Sequence, residues 1–433
     1  MARFLFAPVA ATGHVNPGLP IAAELVRRGH EVRWYTTPRF EEKVCSVGAQ
    51  YVPYTRAFAL EEGRIDEQFP ERVKLKGIAQ MKYDMKHAFI DQMPGLYEDL
   101  SEDLTRYPSD VLVGDTATSV CALVARRFQI PLAIYGISVL LQSSRDTAPF
   151  GLGLLPNATP LGRLRNAALY GLVNRVIFKD PFDYYDAMVE RIGNDKPEYP
   201  MLDFANGADL FLQGCSPSFE YPRSDMPENV RFIGAFLPSA NPDWTPPDWW
   251  GRLDGSRPVV VVTQGTIATE YQELILPAIR ALANTEWQVV VTTGSRPPSV
   301  LGLTSLPDNV IVEQFVPYAH LMPRASLLLT NGGYGSVQIA LAHGVPLVVF
   351  GGSEEKPEVA SRVSWSGIGL GFKTKRPSEA QIRTAVGKVL STPSYRSRAQ
   401  QLRQELLSYD AAKLSGDLLE SLVHTITLAP AHR

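Results

Sequence analysis

Residues 327–352 read LLLTNGGYGSVQIALAHGVPLVVFGG, and the way this stretch breaks decides the fold. Leu327, Leu328 and Leu329 form a short apolar run, which Thr330-Asn331-Gly332-Gly333-Tyr334-Gly335-Ser336 interrupts. Val337, Ala340 and Leu341 then recur at helical spacing until Gly344, and a second apolar run starts after Pro346. The pattern predicts strand, glycine-rich turn, short helix and strand. Glycines at a strand-to-helix junction let the backbone approach a ligand closely. The start of the helix adds unpaired N–H groups and a positive dipole end, and both suit a phosphate.

Outward from that unit, the alternation continues in both directions. On its N-terminal side come a strand at 258–263 (PVVVVT), the turn Gln264-Gly265-Thr266, a helix at about 270–284, a strand at 288–293 and another near 310. On its C-terminal side come a helix at 357–366 and helical patterns at about 378–391 and 394–424. A similar series opens the chain. Residues 3–8 (RFLFAP) read as a strand, followed by the polar turn Ala11-Thr12-Gly13-His14-Val15-Asn16 and by Pro17, which suits a first helical turn. Leu19, Ile21, Ala22, Leu25 and Val26 give that helix its apolar face, and Gly29 ends it. Then come a strand at 31–36, a helix at 39–47, a strand at 110–114 ending at Asp115, a helix at 119–129 and strands at 131–135, 209–213 and 230–233. Strand–helix alternation of this kind predicts an α/β chain with two doubly wound parallel sheets, and ligands of such sheets bind at the carboxyl ends of the strands. The Pro-, Asp- and Gly-rich segment 237–258 reads as the linker between them.

Two stretches escape the alternation. Residues 55–105 carry Phe58, Phe69, Met81, Tyr83, Met85, Phe89, Met93 and Tyr97, read either as helix packed on its own domain or as the wall of an apolar pocket. Residues 138–200 contain Asp180, Asp183 and Asp186, whose spacing predicts an exposed helical face in preference to a metal cluster.

The composition narrows the class. A chain of 433 residues exceeds one ordinary core, so two domains are expected. Hydrophobic residues at 45%, charged residues at 20% and a formal charge of −3 describe a soluble globular protein without the basic surface that nucleic acid or an anionic membrane would ask for. Cys45, Cys121 and Cys215 are few and scattered, which fits a reducing cytoplasm and no zinc site. Pro8, His14 and Asn16 cut short the opening apolar run, so MARFLFAPVAATG is expected to be a buried strand and not a leader. No run approaches a membrane span. A dinucleotide oxidoreductase would need GxGxxG after the first strand, which Gly13 and Gly18 do not supply.

Gly13-His14-Val15-Asn16-Pro17, Phe315-Val316-Pro317-Tyr318, Asn331 to Ser336, and Gly344-Val345-Pro346 through Pro357 together resemble the family-one glycosyltransferases, in their bacterial natural-product branch of macrolide and flavonoid type. The resemblance covers nearly the whole chain. It implies the GT-B fold, two facing Rossmann-like domains with a cleft between them. The implied division is an acceptor-binding domain at 1–236, the linker at 237–258, a nucleotide-sugar-binding domain at 259–409 and a C-terminal helix at 410–433 returning to the first domain. His14 inherits the role of general base and Asp115 that of the acid orienting it, an arrangement imidazole suits near neutral pH. Donor contacts are implied for Gly265 and Thr266, for Phe315 stacking on the base and Val316 bonding its edge, for Asn331, Gly332, Gly333, Tyr334, Gly335 and Ser336 at the diphosphate, and for Glu355 and Lys356 at the sugar. Phe58, Phe89 and Phe150 are candidates for the acceptor site.

The pattern has three departures. Asn331 stands where many relatives have His, Ile339 (beside Gln338) where a Glu commonly grips ribose, and Glu355-Lys356 where glucose users often carry Asp-Gln. They leave UDP and dTDP both open. The expected activity is inverting transfer of a hexose from UDP- or dTDP-sugar to a hydroxyl of a hydrophobic small molecule of polyketide, phenolic or terpenoid type. No cofactor and no metal are expected, since no DxD motif occurs and helix N–H donors can neutralise the departing diphosphate. The expected enzyme is a cytoplasmic monomer or homodimer, with no nucleic-acid partner and no membrane insertion. The alternatives are a non-catalytic auxiliary of the same fold activating another transferase, and a transferase of lipid or cell-wall assembly.

Overall fold

The computed structural model describes residues 1–428 apart from 63, 194, 238–242, 266–269 and 295. In the first half, β1 (Arg3–Phe6), β2 (Glu31–Thr36), β3 (Gln50–Pro53), β4 (Val111–Asp115), β5 (Leu132–Gly136), β6 (Leu210–Gln213) and β7 (Val230–Phe232) form one sheet in the order β3-β2-β1-β4-β5-β6-β7. In the second, β8 (Val259–Thr263), β9 (Gln288–Thr292), β10 (Val310–Glu313), β11 (Leu327–Thr330), β12 (Leu347–Phe350) and β13 (Gly369–Phe372) follow the order β10-β9-β8-β11-β12-β13. Every pairing in both sheets is parallel. Strands β4, β5, β8, β9, β11 and β12 are buried along their whole length, as unbroken apolar runs covered by helices on both faces should be. This is the two-domain α/β architecture expected from the sequence.

The strand order reverses direction beside β1 in the first sheet and beside β8 in the second. The crevices between β1 and β4 and between β8 and β11 are therefore the two topological switch points. The first helix, Thr12–Arg27, leaves β1 at one of them. A Cβ on Gly18 would lie 2.8 Å from the Trp34 ring and 2.9 Å from the Tyr135 hydroxyl, so glycine is what lets this helix lie flat on β2 and β5. The helix Tyr334–Ala342 leaves β11 at the other.

Several elements differ from the sequence reading. Strands β3 and β13 were not anticipated, and both lie at sheet edges with mixed burial. In β13 the pattern is diluted by Gly369 and Gly371, where a Cβ would come within 1.8 Å of the Leu347 and Ala360 carbonyl oxygens. The helix expected from 270 spans Ile275–Leu282, with Pro277 in its first turn. The helical pattern at 394–424 divides into Pro393–Leu407 and Ala411–Leu428.

The last helix lies on the first domain: Leu419 joins that domain's core, while Arg28 pairs with Asp417 at 2.8 Å and Glu420 at 2.6 Å. In the segment expected to be linker, Trp244, Trp249 and Trp250 pack on the core of the second sheet. Between residues 55 and 105 the helix Met93–Arg106 buries Met93, Tyr97, Leu100 and Leu104. Asp180, Asp183 and Asp186 pair with Lys86, Lys179 and Lys196, and no cluster able to hold a metal occurs among the described residues. None of the described helices is long and apolar enough to cross a membrane.

Candidate active site

At the first switch point, the end of β4 presents Asp115 and the first turn after β1 presents His14. The His14 Nδ1 lies 2.8 Å from Asp115 Oδ2, joining groups 101 residues apart. Asp115 is fully buried, and its carboxylate also accepts the backbone N–H groups of Val9 (2.9 Å) and Ala117 (2.7 Å). The Tyr135 hydroxyl donates to the His14 carbonyl at 2.7 Å, fixing the turn from the β5 side. The His14 side chain is 21% exposed. Burial is the largest influence on its protonation and works against the cation. The charge and hydrogen bond of Asp115, with Glu62 and Glu355 farther off, outweigh it and raise the imidazole pKa above its usual 6.5.

Val9 and Ala117, which hold Asp115 through their amides, also line a partly open pocket. Phe89, Met93, Leu96 and Met201 supply its apolar wall. Of the aromatic candidates, Phe89 lines this pocket. Phe58 packs edge-on against Phe69 at 6.2 Å and does not line it. Phe150 lines a second, more polar pocket together with Glu358 and Arg362 of the second domain.

At the second switch point the walls are backbone. Gly332 has φ +94°, and a Cβ there would lie 2.9 Å from Val349, so this position requires glycine. Gly333 is the N-cap of the helix Tyr334–Ala342 and caps it with no side chain. The helix's first internal bond runs from Val337 N–H to the Gly333 carbonyl, which leaves the amides of Tyr334, Gly335 and Ser336 without helical acceptors. Asn331 spends its amide on the Gln264 carbonyl at 2.8 Å and so ties this turn to the one after β8, beside Gly265. The Tyr334 ring turns away from the crevice: it is buried, and its hydroxyl accepts from Gln213 of the first domain at 2.9 Å. Ser336 donates to the Gly333 carbonyl at 2.8 Å. Phe315 stands 64% exposed beyond the end of β10, a largely open aromatic side chain, while Val316 is buried in the core. Thr266 lies outside the described residues. Ile339, where an acid was the family's habit, packs on the second domain's core.

The loop after β12 closes the cleft. Glu355 is near enough to the His14 ring to act on its charge, although it belongs to the other domain; burial raises its own carboxyl pKa, which its backbone hydrogen bond and His14 partly offset. Lys356 contacts Glu354, and burial pushes its ammonium down to about 8.

Sequence reading missed what anchors this loop. In the helix Lys356–Trp365, Glu358 accepts from the Gly151 amide at 3.1 Å and the Gly153 amide at 2.6 Å, both in the first domain. Arg362 is buried between Glu358 at 3.0 Å and Glu220 at 2.9 Å, and lies over the Tyr221 ring. A buried guanidinium stays charged, and partners of this kind offset the cost of its burial. The Glu358–Arg362 spacing of four is the one local signal that points there.

A profile of the family described as "Erythromycin biosynthesis protein CIII-like, C-terminal domain" matches residues 278–417. The 4'-demethylrebeccamycin synthase of Lentzea aerocolonigenes is 47% identical over 425 residues, covering 98% of this chain and all of that protein. The UDP-glycosyltransferase 2 of Phaeomoniella chlamydospora is 36% identical over 435 residues, covering 96% of this chain and 95% of that one. Among solved structures, the glycosyltransferase VinC in complex with dTDP superposes with a TM-score of 0.69 at 20% identity, covering 98% of this chain and all of that chain.

Proposed function

The chain belongs to the family-one glycosyltransferases of bacterial natural-product type, with the GT-B fold, and from that premise we propose that it moves a hexose from a UDP- or dTDP-sugar to a hydroxyl of a hydrophobic small molecule, with inversion at the anomeric carbon. The observation that carries this reading is the His14–Asp115 pair at one switch point, with Glu355 of the other domain near enough to act on the imidazole, and the glycine-walled helix start at the other switch point. In the neutral ring, Nδ1–H donates to Asp115 and Nε2 keeps its lone pair. The acceptor oxygen gives its proton to Nε2 and bonds to the anomeric carbon as the bond from that carbon to the diphosphate oxygen breaks. Asp115, buried and held by two amides, then faces the imidazolium that forms.

The departing diphosphate carries the negative charge. The free amides of Tyr334, Gly335 and Ser336 and the helix dipole supply the compensation, so no metal is required by the charge balance. The exposed Phe315 face suits stacking on a pyrimidine, and Ile339 removes one hydrogen-bond acceptor from the ribose side, which accommodates a deoxyribose. The acceptor is assigned to the pocket lined by Phe89, Met93 and Met201, whose wall suits a flat, largely apolar molecule.

The test is a panel of UDP- and dTDP-hexoses against phenolic and polyketide acceptors, read by mass spectrometry, with the anomeric configuration of any product read by NMR. Turnover that survives in His14→Ala overturns the base. Turnover that requires Mg²⁺ and is lost on adding EDTA overturns the charge balance.

A further inference from the structure

Glu62 occupies a place that the reaction as read so far does not use. The helix Thr12–Arg27 starts at Ala11, an N-cap with no side chain able to bond its first amides. Glu62, from 50 residues away, does it instead: Oε1 accepts from the Thr12 N–H at 2.5 Å and Oε2 from the Thr12 hydroxyl at 2.6 Å. Arg39, at the exit of β2, pairs with the same Oε2 at 2.8 Å. The carboxylate is 10% exposed and lies at the positive end of the helix whose third residue is His14.

The loop that delivers Glu62 is anchored for the purpose at its other end. Buried Asp99 accepts from the backbone amides of Thr55, Arg56 and Ala57, and from the Tyr35 hydroxyl at 2.6 Å. The segment after β3 is thus pinned at its root by one carboxylate and at its tip by another. The groups facing His14 are Asp115 from β4, Glu62 from this loop and Glu355 from the second domain, with Arg39 beside Glu62.

We infer that Glu62 is a positioning residue for His14, clamping the turn that carries the imidazole and adding a second fixed negative charge on its first-domain side. The inference rests on the reading of His14 as the base, and its test is separable from that reading. In full-length protein labelled at its seven histidines, the His14 resonance is assigned from His14→Gln and titrated in wild type, Glu62→Gln and Arg39→Met. Glu62→Gln keeps an acceptor for Thr12 and removes the charge, so the His14 midpoint is expected to fall by about half a pH unit or more. Arg39→Met leaves Glu62 less neutralised, and the midpoint is expected to rise. The acid limb of kcat/KM should follow both shifts.

A purely structural cap would lower Tm and leave the midpoint unmoved in both variants, and that result overturns the inference. Should Glu62→Gln fail to fold, the upward shift in Arg39→Met alone decides the matter. Turnover by His14→Ala would remove the base reading without touching the titration.

Discussion

Between β1 and β4 the first sheet opens a crevice walled by side chains, and between β8 and β11 the second sheet opens the equivalent crevice and walls it with backbone. The fold position is the same and the chemistry is opposite. At the first, His14 and Asp115 meet at 2.8 Å, and their environment adjusts when a proton is held. At the second, Gly332 and Gly333 clear side chains away, so that N–H groups and a helix dipole face the cleft. A mobile proton needs a titratable group, whereas a permanent anion needs fixed donors that never change charge. On the proposed reading, the doubled fold lets each half answer one of these needs.

The comparison breaks most visibly at His14. His14→Ala is expected to cut kcat by about 10³-fold or more, in the range a positioned base supplies, and to leave donor affinity by calorimetry within about twofold. An equal loss of donor binding would mean that the two crevices are not chemically separate.

Gly333→Asp attacks the other wall. Gly333 has open space around its Cα, the nearest atom to an added Cβ being Ser336 Oγ at 3.7 Å. Asp is also among the best N-cap residues, so Tm should hold or rise. The same carboxylate would repel a diphosphate at the helix start. Affinity for UDP or dTDP is therefore expected to fall by about 10- to 100-fold. A protein made sturdier and blind to nucleotide would be hard to explain by misfolding. Intact affinity would remove the phosphate from this turn.

The difference between the crevices also explains what was legible in the sequence. Backbone sites are written locally: strand, glycines and helix follow one another, so the turn at 331–336 and the alternation of both sheets could be read directly. Side-chain sites are assembled from afar. His14 and Asp115 were paired only through a family resemblance, and nothing near Glu62 announces Thr12 or near Glu358 announces Gly153. Even at the legible turn, identity did not give direction. Asn331 and Tyr334 lie within the motif, yet one bonds the neighbouring turn and the other pins the first domain. Strand β13 was hidden for a related reason, because Gly369, which lies against β12, and Gly371, which admits the helix Lys356–Trp365, erase the apolar pattern.

The titratable crevice should respond strongly to pH, and the backbone crevice only weakly. His14 has a raised pKa, so the neutral, basic form is lost below a point above 6.5. The acid limb of kcat/KM is expected above 6.5, with rates about tenfold lower for each pH unit below it. The stability contribution runs the other way: it is fully present below 6.5, where His14 is protonated in the folded and unfolded chain alike, and is lost as pH rises through the folded value. Activity should therefore appear over the window in which this part of the stability disappears. A Tm that rises there in step with kcat/KM in wild type, and equally in His14→Gln, would show that some other group titrates.

The smallest effect is expected where a titratable group does stand beside the backbone crevice. Burial pushes Lys356 down to about 8, and a Cβ on Gly332 would lie 3.5 Å from its own Cβ. If Lys356 contributes charge to the bound donor, that contribution fades above pH 8 as the ammonium deprotonates. Because Lys356 already contacts Glu354, releasing it to a donor exchanges one ion pair for another, and the net gain is small. Donor KM in wild type is expected to rise by roughly fivefold at most between pH 7 and 9. In Lys356→Gln it should be flat over that range and near the wild-type value at pH 9. A donor KM that rises equally in both proteins would assign the change elsewhere and leave the second crevice purely backbone.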